Sequence, residues 1–544
     1  MKLCARNNRG MNAQTEPTSP TEPTSLTEPT SPAGSRGGAA FFGFWLAVAG
    51  LMLAIYAVTA QRGPAWQDSG IFQWRILNFD LTGKLGLALA HPLLIILGKA
   101  LSWLPLGPPA FRMNLVSALC GAVTVANVAL LVRRLSPGRP AAAWVSAGLL
   151  GLAHTPWWLS TICESQMVFA ALFTTNLHVL VTLIRRPTAG LALLLGAING
   201  LALLAHNLAL LALAVYGLTV IALCARGRLR WYAVAFLAAG WLAGSAGMLV
   251  LVARQAAATG LIPAVKSALF GQSWQADVLG GSAAAVKMGV GCILYNFPNA
   301  ALVLAAVGLW ALRKAPLRPL RWCFCGLTAM YLLFAIRYRV MDQFMFFVPF
   351  YVMVAVLAGV GLGSLRPRAY IWAAPVALAS LLAAPALYAA MPSIARSAHL
   401  AVPGRTDLPF RDPPRYWLAP WKAGENSAGL FARQALAGVP AGGTIIADGT
   451  SLYPLLWMQR VDGLGRDVEL LEGAGPQQVP PGTPNVFAVS ATRGYYPPWL
   501  AEAAFLEKGP GQVLYSVVWR KKPVPPDERP AAPGAGAATG PSKR

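Results

Sequence analysis

Asp68 stands in the run Ala65-Trp66-Gln67-Asp68-Ser69-Gly70-Ile71-Phe72, just after the first long apolar stretch of the chain. A carboxylate at the mouth of a membrane cavity loses hydration, which raises its basicity toward that of a general base. The plain alternative is a solvated aspartate, or an N-cap of the following helix with Ser69 able to share that role. Other polar groups recur at the corresponding ends of later apolar stretches. Glu164 lies in Trp157 to Gln166, His206-Asn207 joins two stretches, and Arg337, Arg339 and Asp342 lie in Arg337 to Phe344. His91 precedes Pro92 in the first long loop. Each has a structural reading of its own: an Arg339–Asp342 ion pair, a solvated Glu164, a turn at His91. Ionisable groups beside membrane-embedded surfaces are costly enough to point to function as a set. A cationic pair with acids and imidazoles around one outer cleft suits an anionic lipid phosphate and an acceptor hydroxyl. His154 and His178, in or beside apolar stretches, are expected to be packed or hydrogen-bonded.

The elements that must position these residues are membrane spans. Hydrophobic residues make up 56% of the 544 and charged residues 12%, about half the charged share of a globular protein. Uncharged apolar runs of bilayer length recur from 38 to 390. They predict about eleven transmembrane helices, at 38–60, 112–132, 141–158, 167–184, 188–205, 207–225, 231–253, 286–312, 320–336, 343–363 and 369–390. Alternate loops collect the cations: Arg133, Arg134 and Arg139; Arg185 and Arg186; Arg226, Arg228 and Arg230; Arg313, Lys314, Arg318 and Arg321; Arg366 and Arg368. The positive-inside rule puts these loops, and the N-terminus with Lys2, Arg6, Arg9 and Arg36, in the cytoplasm of a multi-pass inner-membrane protein. A further crossing at 85–105 would place every later cationic loop outside, so 61–111 is read as one long extracytoplasmic loop with interfacial helices.

The net charge of +24 is spread over these loops, which accounts for it without a nucleic-acid partner. Cys120, Cys224, Cys292, Cys323 and Cys325 fall in or beside apolar runs, and neither a disulfide framework nor metal-ligand spacing is found. No cleavable signal peptide is read, because the first apolar run begins near Gly38. Residues 1–37, with the TEPTSP repeats from Thr15 to Pro32, are expected to be a disordered cytoplasmic tail. Past about 390 the texture changes. Gly443 to Gly449 and Asp467 to Gly473 read as short strands, with a helix from Leu452 to Val461 between them. Residues 391–520 are therefore expected to form a small extracytoplasmic α/β domain, and 521–544 a disordered tail. No phosphate-cradling glycine loop, zinc-protease helix or serine-nucleophile elbow is present.

The order of motifs resembles the protein O-mannosyltransferase-like family of GT-C-fold membrane glycosyltransferases, also known as domain of unknown function 2723. Its D-S-G-E-F element corresponds to Asp68-Ser69-Gly70-Ile71-Phe72, its H-P-P-G-Y-P-L element is shortened to His91-Pro92-Leu93, and its R-x-N-L-x-S-A segment corresponds to Arg112 to Ala118. Glu164 matches an acid at the outer end of the fourth span, and Tyr338 to Asp342 matches a Y-x-V-x-D element. A run in the soluble part, Trp457 to Gly463 followed by Gly465 to Val468, is also similar to related bacterial proteins. The likeness covers most of 38–520. This chain departs from the pattern at Ile71, where the family has an acid for which Glu164 or Asp80 would have to substitute, and in the missing P-G-Y-P turn after Pro92.

The resemblance implies a GT-C-like bundle and transfer of a sugar, with mannose expected, from a polyprenyl-phosphate carrier to an extracytoplasmic acceptor, a protein Ser/Thr or an envelope glycan. Asp68 would deprotonate the acceptor hydroxyl, with Glu164 as second acid, and attack would invert the anomeric carbon. Arg337 and Arg339 first, with Asp342, His91, His206 and Asn207, would line the donor-phosphate and substrate side. The donor lipid is a substrate; no cofactor is implied, and metal dependence is left open. Two rival classes are a polytopic transporter or lipid flippase, disfavoured by the lack of internal duplication, and a non-catalytic envelope-assembly scaffold, favoured by the loss of the acid at Ile71.

Overall fold

The computed structural model describes residues 33–272, 274–314, 317–402 and 405–520. The TEPTSP repeats, Lys2, Arg6, Arg9 and the tail from Lys521 lie outside them. The chain divides into Met1–Gly43, of which only the start of helix α1 (Ala33–Thr59) is described, and a second compact unit, Phe44–Arg544.

In that second unit the first long loop carries α2 (Gln67–Asn78) and α3 (Pro92–Ser102). Then come α4 (Pro109–Leu135), α5 (Pro140–Gly151), the short α6 (His154–Leu159), α7 (Ser165–Arg185), α8 (Ala189–Leu203), α9 (Ala209–Ala225) and α10 (Tyr232–Thr259). Two short helices, α11 (Leu261–Phe270) and α12 (Gln275–Leu279), lead to α13 (Ala283–Asn296), α14 (Ala301–Ala311) and α15 (Arg321–Arg337). The helical run ends with α16 (Val348–Gly363), α17 (Pro367–Ser380) and α18 (Ala383–Ser397). Among the described residues seven helical segments are long and apolar enough to cross a bilayer, or eight if the bent pair α13–α14 is one span.

That bend corrects the straight crossing expected over 286–312. The axes of α13 and α14 differ by 97°. Pro298 supplies the cause: it lacks the N–H that would continue the ladder, and it pushes Phe297 out of helical backbone, to φ −126° and ψ 62°. The expected spans at 141–158, 188–205 and 207–225 are helical but short, with α5, α8 and α9 holding 12, 15 and 17 residues.

The centre of the bundle is α16, apolar on every side and 94% buried over its most apolar window, as a helix without a polar face must be. Beside it lie α4 and α7, also mostly buried. Their C-terminal ends carry cations and are tied together. Arg134 bonds His178 and Thr182 on α7, Arg228 donates to the Ile184 carbonyl, and Arg139 lies 4.4 Å over the Tyr370 ring. The N-terminal ends of α4 and α7 therefore point to the opposite end of the bundle.

The C-terminal part docks on that opposite end. It contains α19 (Pro413–Leu418), α20 (Ser427–Gly438), β1 (Thr444–Ala447), α21 (Leu452–Trp457), β2 (Glu469–Glu472), β3 (Val486–Ala488), α22 (Pro498–Ala503), β4 (Ala504–Lys508) and β5 (Tyr515–Trp519). Strand order is β2-β1-β3-β5-β4; β1 is parallel to both neighbours, and β5 is antiparallel to β3 and β4. The strand–helix–strand reading of 443–473 corresponds to β1, α21 and β2. Buried Trp66 donates to Ser427 Oγ at 2.7 Å, Trp158 to the Tyr416 carbonyl at 3.2 Å, and the Lys422 amide to the Thr59 carbonyl at 2.7 Å. Both indoles find acceptors for N–H groups that would be costly to bury unpaired.

Candidate active site

The Asp68-Ser69-Gly70 run divides its labour. A β-carbon on Gly70 would sit 2.3 Å from the Ala65 carbonyl oxygen, so only glycine lets α2 start this close to the preceding turn. Ser69, buried, donates to Glu164 Oε1 at 2.8 Å. Asp68, half-buried, is left to face the cavity beside α2. Gln67 holds φ 57°, a strained value for a residue with a side chain, in the turn that aims this run.

The R-x-N-L-x-S-A segment at the start of α4 is the support. Asn114 donates to the Gln61 carbonyl at 2.8 Å and accepts from Gln73 at 3.0 Å, while Gln73 in turn accepts from the Ala65 amide at 2.9 Å. All of these groups are buried, so the chain that fixes α2 against α4 is satisfied at each of these links. Ser117 holds the backbone of Glu164 from both sides, accepting from its amide at 2.9 Å and donating to its carbonyl at 3.0 Å. Arg112 donates to the Gly107 and Ser102 carbonyls and closes the loop before α4.

Three carboxyl groups converge here. Glu164 is the residue before α7, Asp342 stands six residues before α16, and Asp68 lies in the first turn of α2. Burial pushes the Glu164 carboxyl well above the usual range, the charge of Asp68 pushes it further, and the Ser69 hydroxyl only partly offsets both. Asp342 is pushed up to about 7, by burial first and by Asp68 second. Asp68 is raised by burial. Neighbouring acids that cannot all ionise divide the proton according to environment. Glu164 is more deeply buried and more strongly raised than Asp68, so of the two it is the better proton holder. Among the described residues no three His, Cys, Asp or Glu side chains form a group that could hold a metal ion.

Asp68 lines a cavity of about 450 Å³ together with Ile71, Trp74, Arg75, Lys84, Leu452 and Tyr453, among others. One wall is therefore the first loop, and the facing wall is α21 of the sheet-bearing part. Arg75 is buried, and four of its N–H groups are committed to backbone carbonyls: two to Asp80, one to Leu89 and one to Ala90. It is a fixed charge with one N–H left from its five. Lys84 is half-exposed and pairs with Glu472 at the end of β2. Asp80 receives the Thr82 and Gly83 amides and stands 3.7 Å from Arg75, so it shapes this turn; Glu164 is the acid linked through Ser69 to the Asp68 run. Ile71, at the position where the family pattern has an acid, also lines the cavity.

The remaining expected residues fall around this centre at different removes. His91 and His206 stack with ring centroids 5.2 Å apart, and His91 meets Phe72 of the cavity wall edge-on at 5.5 Å. His91 Nδ1 donates to the Ala205 carbonyl at 2.7 Å, and His206 Nδ1 accepts the Leu208 amide at 3.2 Å. Asn207 donates to the Ala268 carbonyl at 2.7 Å, tying the α8–α9 turn to α11. Arg337 donates to the Val278 carbonyl and Arg339 stands 3.7 Å from Asp277, not paired with Asp342; both are exposed, and neither lines the Asp68 cavity. His154 and His178 are packed, with His178 Nε2 2.9 Å from the Asn127 carbonyl oxygen. Arg75, Lys84 and Tyr453 were not expected.

No family model matches the chain, and no curated protein matches it. Solved structures do match, among them two of one protein. ArnT from Cupriavidus metallidurans in the apo state superposes with a TM-score of 0.56 at 16% identity, covering 88% of this chain and 98% of that one. The same protein bound to undecaprenyl phosphate superposes with a TM-score of 0.55 at 17% identity, covering 89% and 98%. At this identity the likeness concerns the fold, and with the helical spans and the small C-terminal sheet it makes the chain a multi-pass membrane protein of GT-C-like architecture similar to ArnT.

Proposed function

We propose that the protein is a membrane glycosyltransferase that moves a sugar, with mannose expected, from a polyprenyl-phosphate carrier to a hydroxyl of an extracytoplasmic protein or envelope glycan. The observation that carries this reading is the placement of the Asp68 carboxylate in one cavity with the cations Arg75 and Lys84. The ArnT structure with undecaprenyl phosphate lends support, since it pairs this fold with a polyprenyl phosphate.

In the proposed reaction Asp68 takes the proton of the acceptor hydroxyl as its oxygen attacks the anomeric carbon. The bond from that carbon to the carrier phosphate breaks, its electron pair passes to the phosphate oxygen, and the configuration inverts. Arg75 contributes a pre-positioned charge, and Lys84 supplies N–H donors by leaving Glu472. Glu164 keeps its proton and fixes α2 through Ser69, so its role is positioning. Asp342 adds a third carboxyl beside Asp68, Arg337 and Arg339 stand outside this cavity on Val278 and Asp277, and His91, stacked on His206, backs Phe72.

The test is sugar transfer by the purified full chain in nanodiscs, with radiolabelled polyprenyl-phosphate mannose and a mixed Ser/Thr peptide library. Asp68→Asn is expected to lower transfer by about 10²–10⁴-fold while the donor still binds. Full activity in that variant would remove Asp68 as the base. If the folded wild type neither transferred sugar nor bound the donor, the reading would fall. Donor binding without transfer to any sugar acceptor would favour a non-catalytic protein, a reading for which Ile71 in the cavity wall speaks.

A further inference from the structure

A second cavity adjoins the first. It has a volume of about 390 Å³ and is lined by Trp74, Leu456, Gln459, Arg460 and Arg466. Trp74 and Leu456 line both cavities, so one indole forms part of the wall of each. The two arginines stand on the π turn Met458–Asp462 and the loop that follows it, which continue α21. Both are exposed, and among the described residues no ion pair holds either, whereas the neighbouring Asp462 is paired with Arg433 on α20 at 3.4 Å. The Gln459 amide is spent on the Gly465 and Val468 carbonyls, at 2.6 and 2.7 Å, and braces the loop that carries Arg466. The opening therefore presents two guanidinium groups and an aromatic edge on a braced backbone.

We infer that this second cavity is the acceptor subsite of the glycosyltransferase proposed above, and that it takes a saccharide bearing a phosphate or carboxylate group. The inference rests on that reading. The donor phosphate has its cations, Arg75 and Lys84, in the first cavity, so a second cationic opening on the far side of Trp74 serves a different anion. Guanidinium groups match planar or tetrahedral oxyanions in bidentate fashion. A pyranose ring laid on Trp74 would reach from this anion site into the cavity of Asp68, which places an acceptor hydroxyl beside its base. Surface guanidinium groups discriminate by charge, so a neutral saccharide of the same size would bind more weakly.

The experiment uses the full chain in phosphatidylcholine nanodiscs and two probes, neutral-dye-labelled mannotriose and its monophosphate. The phosphorylated probe is expected to bind about tenfold more tightly to wild type. Arg460→Glu/Arg466→Glu should abolish the preference, Arg460→Lys/Arg466→Lys should retain part of it, and undecaprenyl phosphate should bind all three proteins equally. Equal affinity of the two probes for wild type would overturn the inference, as would an unchanged preference in the double glutamate variant. Displacement of the phosphorylated probe by phosphatidylglycerol added to the nanodiscs would also overturn it, because the anion would then be a lipid headgroup. Should undecaprenyl phosphate fail to bind wild type while the probes discriminate, the donor assignment would fall and the anionic subsite would stand.

Discussion

Asp342 connects one residue's environment to the behaviour of the whole protein. Its carboxyl is pushed up to about 7 by burial and by Asp68, against an unfolded value near 3.9. Between those limits the folded chain binds more protons than the unfolded one, so stability is highest below the lower value and is lost as pH rises through the upper. Discounted for the partial exposure of the side chain, the loss is about 1–2 kcal/mol. Thermal unfolding from about pH 4 to about pH 8 is expected to show it in wild type, and a flatter profile in Asp342→Asn. Identical slopes would mean that another group carries the effect. Gly70 gives a purely steric prediction at the same scale. A methyl group 2.3 Å from the Ala65 carbonyl oxygen meets backbone, which cannot swing aside, so Gly70→Ala should cost about 1–3 kcal/mol. Because α2 carries Asp68, transfer should fall about tenfold or more in the same variant. A Gly70→Ala protein with native melting temperature and activity would show that α2 is free to shift.

At the level of elements, the apolar runs were legible because a bilayer demands length and uniform hydrophobicity, and both are local properties. The 97° turn between α13 and α14 was hidden because Pro298 sits in a run whose composition is apolar throughout. Of the candidate site, Asp68 and Glu164 were legible because each stands at the edge of an apolar run. Arg75 and Lys84 were not, since nothing local tells a loop cation that faces a cavity from one that faces water. The wall that makes them part of a site is α21, nearly four hundred residues further along the chain. That same wall suggests a latch: Lys84 of the first loop is held by Glu472 at the end of β2. An anionic ligand must compete with this carboxylate for the lysine. The pair is partly exposed and so worth about 0.2–1 kcal/mol. Glu472→Gln should therefore tighten undecaprenyl phosphate binding by about two- to fivefold in a direct binding assay. Weaker binding would instead mean that Glu472 holds Lys84 in its working position.

On the scale of the whole molecule, the bundle is polarised. Cations gather where Arg134 ties α4 to α7, Arg228 ties the end of α9 to α7, and Arg139 at the start of α5 packs on Tyr370 of α17. The carboxyl groups and the sheet occupy the other end. Cationic loops remain in the cytoplasm during insertion, so the sheet and Asp68 are expected on the opposite side of the membrane. Cysteine labelling on intact cells tests this directly, because the described native cysteines are buried or half-buried and give little background. Lys508→Cys, at an exposed position of β4, should react with a membrane-impermeant maleimide in intact cells. Arg226→Cys, exposed after α9, should react only after lysis. The outcome bears on chemistry as much as on topology. A polyprenyl-phosphate sugar is the donor suited to the extracytoplasmic side, where soluble activated sugars are not supplied. The reverse labelling pattern would place Asp68, Arg75 and Lys84 in the cytoplasm. It would make a soluble nucleotide-linked sugar the donor to test next.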